Sequence, residues 1–280
     1  MSYIPEMPAS VYEYFTDHIR ITAGIHIPDN RRFFMETRLR KRLRELGIHD
    51  WIEYINLLNA PNTPENQHFV NAITSNKTHF FREREHFDFI ETEVLPQFKG
   101  KSLSIWIGAS STGAEAYSLA ILIDEFNKTN TPAIKYRILS TDIDTEANAK
   151  AEQGKYPALQ VEEHVPGNLM QEYFYRGSGQ NAGMYRVHDK LKQNIKFRYH
   201  NLLDPVQSLK MTFDLILVRN VFIYFQAETI LKIVERVDQV LNPNCHLILG
   251  HCESIPDGSD YQNVGNSIYV RSKDRRKEGK

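Results

Sequence analysis

The turn between Gly108 and Glu115 holds the residues of this 280-residue sequence whose spacing points most directly to chemistry. The pattern Gly108-x-x-x-x-Gly113 matches the start of a phosphate-binding P-loop, but Ala114 and Glu115 stand where that loop has Lys and Ser or Thr. The turn also approaches the nucleophile elbow G-x-S-x-G, but Thr112 occupies the place of the last glycine. We therefore expect neither a nucleoside triphosphate site nor a serine nucleophile here.

Glu115 limits the ligands that this turn can hold. An acid in the first turn of a helix is favoured by the helix dipole whatever the ligand. Directly beside a glycine turn, however, its charge repels a pyrophosphate, which disfavours dinucleotides and nucleoside triphosphates. A nucleoside with a cationic group is favoured instead. S-adenosylmethionine fits this description, because it carries adenine, ribose, an ammonium and a sulfonium.

Polar residues also follow three other strand-like segments. Asp142, Asn201 and the pair Arg219-Asn220 each follow such a segment. In an open α/β sheet, ligands bind at the carboxyl ends of the strands, so these residues are expected to converge on one crevice. An acid after the second strand suits the two hydroxyls of a ribose. The alternatives are a helix N-cap for Asp142, a surface cation for Arg219 and an ordinary turn residue for Asn220.

Short apolar segments alternate with helical segments from about residue 100 onward. This alternation predicts βαβ units and a parallel sheet with helices on both faces. The predicted strands are Leu103 to Ile107, Ile134 to Ser140, Ile195 to His200, Phe213 to Val218 and His246 to Leu249. A last apolar segment, Ser267 to Val270, follows a loop rather than a helix, and we expect it to add an antiparallel strand.

An inserted β-hairpin is predicted before the Phe213 strand. Tyr173 to Arg176 and Met184 to Val187 have the composition of strands and flank the glycine-containing loop Gly177 to Gly183. About sixty residues separate the preceding helix from the Phe213 strand, more than one crossover needs. These segments are expected to form a small subdomain within the larger one.

Residues 10 to 73 show helical periodicity. Met35, Leu39, Leu43 and Leu46 mark one helical stripe, which predicts a helix around them. That helix is rich in cations, and only Glu36 and Glu45 oppose them within the segment; the cations are Arg31, Arg32, Arg38, Arg40, Lys41, Arg42 and Arg44. Such a helix presents either a solvated face or a docking surface for an acidic partner, since its cations repel one another.

Composition excludes several classes of protein. With 34 Lys and Arg against 35 Asp and Glu, the net charge of -1 gives no general attraction to nucleic acid or membranes. The sequence has no signal-peptide pattern and no apolar stretch of transmembrane length, so we expect a cytoplasmic protein without membrane insertion. Two cysteines, Cys245 and Cys252, do not make a zinc site without other ligands, and no metal is expected.

Six motifs together resemble the chemotaxis receptor methyltransferase family, CheR, over nearly the whole chain. They are Thr74 to Glu83, Trp106 to Ser118, Ser140 to Asp144, Asn201 to Asp204, Phe213 to Phe225 and Gly250 to Ser254. The resemblance implies an all-α N-terminal domain, residues 1–75, and a Rossmann-like class I methyltransferase domain, residues 76–280. A small antiparallel β-subdomain is expected to be inserted at about residues 160–200. The departures are Ala116, where the family usually has Pro, and the loss of a usual glycine around Asn244 and Cys245.

The resemblance also implies a reaction and a set of site residues. The expected reaction transfers a methyl group from S-adenosylmethionine to glutamate side chains of chemoreceptors, giving glutamyl methyl esters and S-adenosylhomocysteine. The implied cofactor contacts are Asn76, Thr78, Arg82, Glu115, Asp142, Asn201, Leu202, Arg219 and Asn220. Arg82 and Tyr224 are candidates for holding the substrate carboxylate. The alternative function is a non-catalytic module that binds the cofactor or the receptor with the same fold.

The expected partners are the acidic methylation helices of chemoreceptors. Arg31, Arg38 and Arg42 are candidates for docking these helices. The loop with Gly177, Gly179 and Gly183 resembles that of family members whose β-subdomain captures a receptor C-terminal peptide by strand addition; a surface turn is the alternative. We expect a monomer that is recruited to membrane receptor arrays.

Overall fold

The computed structural model describes residues 4–271, and the first part of this chain is helical. Its helices are α1 Ala9–Ala23, α2 Arg32–Leu46, α3 Trp51–Leu58 and α4 Glu65–Ile73, with a 3-10 turn Asp29–Arg31 before α2. Their apolar faces share one core that includes Phe15, Trp51 and Phe69. A side chain cap starts α3, where Asp50 accepts a hydrogen bond of 3.2 Å from the amide of Ile52.

The apolar stripe of α2 is buried at three of its four predicted positions. Met35, Leu39 and Leu43 are fully buried, whereas Leu46 is 37% exposed. Leu46 is the last residue of the helix, which ends at Gly47 in the left-handed conformation with φ +71°. Because the chain turns away there, the final position of the stripe has no facing helix to pack against.

The second part of the chain combines helices and strands. In order, its elements are α5 Arg84–Phe89, β1 Ser102–Gly108, α6 Ala114–Thr129, β2 Lys135–Asp142, α7 Thr145–Gln153, β3 Lys155–Pro157, α8 Ala158–Glu162, α9 Gly167–Tyr173, β4 Phe174–Arg176, β5 Met184–Val187, α10 Asp189–Lys192, β6 Ile195–Tyr199, β7 Phe213–Val218, α11 Ala227–Val240, β8 Leu241–Leu249, β9 Tyr261–Gly265 and β10 Ile268–Arg271. Short π and 3-10 turns, Ile90–Val94 and Leu95–Phe98, connect α5 to β1.

Within residues 4–271, seven strands form the large sheet in the order β6-β2-β1-β7-β8-β10-β9. The first five are parallel, and β10 lies antiparallel to β8 and β9. The predicted fold class is confirmed, including the antiparallel last strand. The sequence did not indicate β9, which is mostly exposed and lies in the segment interpreted as a loop.

Helices cover both faces of this sheet. Ile105 and Ile107 of β1 belong to the core that α6 joins through Ala116, whereas Trp106 belongs to the core that α11 joins through Ile233. Successive strand residues point to opposite faces, so continuous apolar strands are the expected consequence of two covered faces. No helix among the described residues is long and apolar enough to cross a membrane.

A small antiparallel sheet of the described chain has the order β3-β5-β4. Its strands lie between Lys155 and Val187, so it begins before the expected range of about 160–200, and β6 near the end of that range pairs instead with β2. The charge-dense composition of the tail Arg271 to Lys280 predicts disorder, but all of it except Arg271 lies outside the described residues. That residue ends β10, and its guanidinium donates to Asp238.

Candidate functional site

A cleft of about 730 Å³ opens where β1, β2, β6 and β7 reach their carboxyl ends. The segment between α1 and α2 forms another wall through Ile25, His26 and Ile27. The cleft is lined by every residue for which a cofactor contact or a role toward the substrate carboxylate was predicted: Asn76, Thr78, Arg82, Glu115, Asp142, Asn201, Leu202, Arg219, Asn220 and Tyr224. The fold therefore brings these ten residues to one place.

The glycine turn after β1 leaves little room for side chains. A Cβ at Gly108 would lie 3.0 Å from Leu202 Cδ2, and Gly113, the N-cap residue of α6, has φ +84°. Two non-glycine residues also have positive φ, Ala109 at +60° and Ser111 at +53°. Such backbone conformations cost of order 1–3 kcal/mol each and persist where surrounding contacts hold them, often at functional sites.

Asp142 and Asp144 have separate tasks at the end of β2. Asp144 is the N-cap of α7, since its Oδ1 accepts hydrogen bonds from the amides of Glu146 at 2.8 Å and Ala147 at 3.0 Å. Asp142 is therefore not the helix cap. It is buried in the cleft wall and accepts from the amides of Ser111 at 2.6 Å and Asp144 at 2.8 Å. Burial raises the pKa of Asp142 to about 6, and these amides oppose the shift.

Arg219 lies between two carboxylates at the end of β7. Its side chain is fully buried, with Nη1 donating to Glu115 Oε2 at 2.9 Å and Nη2 donating to Glu83 Oε2 at 2.9 Å. The other oxygen of Glu115, Oε1, is buried and has no hydrogen-bond partner in the described chain. Burial raises the pKa of Glu115, and the charge of Arg219 opposes that rise. The cleft thus offers a buried carboxylate oxygen to a ligand that donates hydrogen bonds.

The loop after β7 is held by one buried acid. Glu253 accepts from the amides of Gly250 at 2.6 Å, Asn220 at 2.7 Å and Phe222 at 2.7 Å. Asn220 has φ +57°. The loop continues into the 3-10 turn Phe222–Tyr224, which brings Tyr224 to the cleft.

The linker between the helical part and α5 forms another side of the cleft. Asn76 Nδ2 donates to Asp144 Oδ2 at 2.6 Å, which fixes the linker against the start of α7. Arg82 is partly exposed, and its Nη1 donates to the carbonyl oxygen of Lys77 at 3.0 Å. Gln160 Nε2 donates to the carbonyl oxygen of Thr78 at 3.1 Å, so α8 also supports the linker.

Two family descriptions match this chain along most of its length. The one described as CheR methyltransferase, SAM binding domain, matches residues 76–270, and the one described as CheR methyltransferase, all-alpha domain, matches residues 10–74. The chain belongs to the CheR methyltransferase family.

Named relatives in this family are similar over nearly their whole length. Chemotaxis protein methyltransferase 2 of Pseudomonas aeruginosa is 38% identical over 248 residues, which cover 88% of this chain and 87% of the relative. The chemotaxis protein methyltransferase of Salmonella typhimurium is 35% identical over 255 residues, covering 90% and 87%. That of Escherichia coli is 35% identical over 254 residues, also covering 90% and 87%.

The cleft of this CheR methyltransferase fits S-adenosylmethionine, the cofactor of its family domain. Glu115 Oε1 is an unpartnered buried acceptor of the kind that an ammonium requires. Asp142 and the glycine turn lie together as expected for a ribose site, and Arg82 adds a partly exposed cation. The donors and acceptors of the cleft therefore match a cofactor that carries an ammonium, a carboxylate and ribose hydroxyls.

The three arginines proposed for receptor docking lie in two different environments. Arg31 and Arg38 are exposed and line the cleft, and the guanidinium of Arg38 lies 5.2 Å from the ring centre of Phe34. Arg42 does not line the cleft; its Nε and Nη2 donate to Glu65 at 2.8 Å and 2.7 Å. The sequence interpretation missed this pairing because Glu65 comes from α4, outside the basic segment. Arg42 is thus a structural cation of the helical part.

The three glycines of the small sheet lie away from the cleft. Gly177, Gly179 and Gly183 belong to the segment between β4 and β5, and none lines the cleft. Gly179 and Gly183 have positive φ, +57° and +81°. At Gly177 a Cβ would lie 2.0 Å from the carbonyl oxygen of Asn181, so the tight loop itself requires this glycine.

Two acids with central roles were missed by the sequence analysis. Glu83 accepts from Arg219, from Asn220 Nδ2 at 2.9 Å and from the amide of His251 at 3.3 Å. Glu253 holds the loop after β7 as described above. Both acids lie within the family motifs Thr74 to Glu83 and Gly250 to Ser254. A sequence, however, does not show from which distant groups a loop carboxylate accepts hydrogen bonds. Glu83, His86 and His251 also bring ligand-type atoms within 4.8 Å of one another. Glu83 is paired there with Arg219 at 2.9 Å and lies 4.0 Å from Arg82 Nε.

Proposed function

We propose that this protein methylates glutamate side chains of chemoreceptors, using S-adenosylmethionine and forming glutamyl methyl esters. The observation that carries the proposal is the unpartnered Glu115 Oε1 in a cleft that also holds Asp142 and Arg82. Membership of the CheR methyltransferase family supports the same reaction. The near-neutral net charge of -1 gives no support to a nucleic-acid substrate.

Each polar group of the cleft has a role in this proposal. Glu115 Oε1 accepts from the ammonium of the cofactor, Asp142 accepts from the ribose hydroxyls, and Arg82 binds the carboxylate of the methionine part. The remaining contacts are made by Asn76, Thr78, Asn201, Leu202, Arg219 and Asn220. When bound, S-adenosylmethionine supplies a methyl group on a positively charged sulfur, which makes that carbon electrophilic.

The substrate needs no general base. A glutamate side chain has an ordinary pKa of about 4.3, so at neutral pH it is already ionised and nucleophilic. The protein's contribution is to orient this carboxylate and to exclude water, and positioning alone can supply up to about 7–11 kcal/mol. Tyr224 is the group proposed to orient the substrate carboxylate; Arg82, the other candidate, is assigned to the cofactor.

The apolar part of the cleft suits the exclusion of water. Ile25, Phe34 and Phe225 line it together with Ile223, which is 59% exposed. A substrate helix that covers these side chains would bury apolar surface and leave the carboxylate beside Tyr224. Burial of apolar surface contributes roughly 25 cal/mol per Å², so even a small patch helps to hold the receptor in place.

We assign receptor docking to the helical part, residues 1–75, and methyl transfer to residues 76–280. Arg31 and Arg38 are the cations proposed to attract acidic methylation helices, because they are exposed at the cleft and make no ion pair with another described residue. Attraction of this kind raises the association rate more than the final affinity. The protein is proposed to act as a monomer that receptors recruit to their membrane arrays.

The small sheet is proposed to bind the receptor's C-terminal peptide. Its strand β4 pairs only with β5 within the described chain, so the other edge of β4 is open to an added strand. Strand addition satisfies the backbone groups of such an edge, and side-chain pockets then provide specificity. Gly177, Gly179 and Gly183 shape the loop beside this edge.

The test is to incubate the purified protein with radiolabelled S-adenosylmethionine and receptor-containing membranes. We expect base-labile label on receptor glutamates, because carboxyl methyl esters hydrolyse in alkali. Binding of S-adenosylhomocysteine without any transfer would support a non-catalytic module instead. Membranes whose receptor glutamates have been replaced by alanine serve as the matched control, and label that persists there contradicts the proposed substrate.

A further inference from the structure

The guanidinium of Arg219 donates hydrogen bonds to two different acids, Glu115 and Glu83. Arginine and a carboxylate commonly form a bidentate pair, with two parallel N–H···O bonds. Here Nη1 donates to Glu115 Oε2 and Nη2 donates to Glu83 Oε2, each at 2.9 Å, and Nη2 also donates to the carbonyl oxygen of Arg82. Neither acid therefore has a bidentate pair with Arg219. Nε of Arg219 is buried without a partner in the described chain. Glu83 therefore competes with Glu115 for the same cation.

We propose that Glu83 is a positioning residue that keeps Glu115 available to the cofactor. Glu83 is the charged acceptor of Nη2, beside the neutral carbonyl oxygen of Arg82, and it keeps Arg219 from pairing with both oxygens of Glu115. Glu115 Oε1 then remains free for the ammonium of S-adenosylmethionine. This inference rests on the cofactor role given to Glu115 above, and it assigns to Glu83 an action through Arg219 rather than a contact with the cofactor.

The placement of Glu83 supports this role. Its Oε1 accepts from Asn220 Nδ2 at 2.9 Å, which orients the carboxylate toward the end of β7. Burial alone would raise the pKa of Glu83. The hydrogen bonds from Asn220 and Arg219 and the charge of Arg219 outweigh burial, so the pKa lies below its ordinary value. Its backbone has φ +58°, which is unusual for glutamate. Strained backbone of this kind clusters at ligand sites, where surrounding contacts hold it in place.

A double-mutant cycle separates this role from simple bracing of the fold. If Glu83 acts by keeping Glu115 Oε1 free, its replacement matters only while Glu115 is present. We would measure S-adenosylhomocysteine affinity by titration calorimetry for the full chain, Glu83→Gln, Glu115→Gln and the double variant. Calorimetry reports binding, so the result does not depend on receptor methylation.

We expect Glu83→Gln to weaken S-adenosylhomocysteine binding about tenfold, the scale of one hydrogen bond to a charged group. The double variant should bind no more weakly than Glu115→Gln alone. Unchanged affinity in Glu83→Gln, or additive losses in the double variant, would overturn the proposal. A wild-type chain that bound no S-adenosylhomocysteine would instead contradict the cofactor site itself.

A second variant keeps the proposal testable if Glu83→Gln does not fold. Glu83→Asp keeps the charge and tolerates the left-handed backbone, but its shorter side chain cannot reach both Arg219 and Asn220. We expect Glu83→Asp to raise the KM for S-adenosylmethionine by about the same factor as Glu83→Gln, with kcat changed less. Wild-type KM in a folded Glu83→Asp protein would count against the proposal even if Glu83→Gln failed to fold.

Discussion

Asn201 Nδ2 donates a hydrogen bond of 2.8 Å to the carbonyl oxygen of Thr22. This bond joins a cleft residue in the loop after β6 to the last turn of α1. The amide of His26 likewise donates to the carbonyl oxygen of Tyr224 at 2.8 Å. The helical part of the chain is therefore a wall of the cleft as well as a candidate docking surface, and Tyr224 depends on it for its position.

Gly24, at the end of α1, should be intolerant of a side chain. It has φ +73°, and a Cβ there would lie 2.9 Å from Leu203 Cδ1 and 3.2 Å from Thr229 Cγ2. Gly47 is a matched control, since its φ is +71° and nothing lies within 4 Å of its Cβ position. We expect Gly47→Ala to lower the free energy of unfolding by about 1–2 kcal/mol, and Gly24→Ala by a further 1–3 kcal/mol or so. Urea unfolding measures both, and equal losses would contradict the tight contact.

Cofactor affinity should fall in acid because of Asp142. The ribose hydroxyls need the ionised carboxylate as acceptor, and burial raises the pKa of Asp142 to about 6 in the free protein. Below that pH the group must lose a proton before it binds, so affinity should fall by up to about tenfold per pH unit. Calorimetry with S-adenosylhomocysteine between pH 7.5 and 5 measures this. In Asp142→Asn the affinity should be low and nearly independent of pH; a slope that persisted would assign it to another group.

Reversal of charge at Glu115 should remove cofactor binding. In Glu115→Lys the ammonium of the cofactor would meet a cation, and Arg219 would lose one of its two acids. We expect S-adenosylhomocysteine affinity to fall at least about a hundredfold, since breaking a buried charge pair costs several kcal/mol. Glu91→Lys, at an exposed site that does not line the cleft, is the control. Unchanged affinity in Glu115→Lys would show that the charge argument is wrong, even within the same family.

Removal of the Tyr224 hydroxyl should affect turnover more than binding. Tyr224 lines the cleft on the 3-10 turn after β7. If its hydroxyl orients the substrate carboxylate, Tyr224→Phe should lower kcat about tenfold or more while S-adenosylhomocysteine affinity stays within about twofold. Tyr199 is half-exposed and does not line the cleft, so Tyr199→Phe should change neither. Equal losses of turnover and affinity in Tyr224→Phe would count against a role toward the substrate.

Arg38 and Arg42 should differ in what they contribute. Arg38→Glu should slow receptor methylation about tenfold at low salt and less at high salt, because salt screens exposed charges. Lys101→Glu makes the same charge change at the opposite end of β1 and should leave the rate unchanged. Arg42→Ala should instead lower the free energy of unfolding by about 3 kcal/mol, since it leaves Glu65 buried without its cation. Methylation rates at two salt concentrations and urea unfolding test these statements; a salt-independent loss in Arg38→Glu would contradict docking by charge.

The sequence predicted the central sheet because βαβ segments have a strong local pattern. β1, β2 and β7 each contain at least four consecutive buried residues, and polar residues follow at their carboxyl ends. The cleft residues followed from those positions together with the family motifs. β9 escaped prediction because four of its five residues are exposed and carry no alternating pattern.

Ion pairs between segments far apart in the chain could not be predicted from the sequence. Glu65 is far from Arg42 along the chain, and Glu83 is far from Arg219, so neither pair leaves a local pattern. The choice between Asp142 and Asp144 as helix cap also depended on three-dimensional geometry, because both acids precede α7 and both are suitable capping residues.

The two oxygens of Asp144 serve parts of the chain that lie far apart in sequence. Oδ1 caps α7, while Oδ2 accepts from Thr74 at 2.8 Å and from Asn76 at 2.6 Å. One carboxylate therefore couples the stability of the first turn of α7 to the position of the linker that contains Thr74 and Asn76. Such shared groups make unfolding cooperative, because loss of either contact weakens the other. We therefore expect the two parts of the chain, which match separate family descriptions, to unfold together rather than independently.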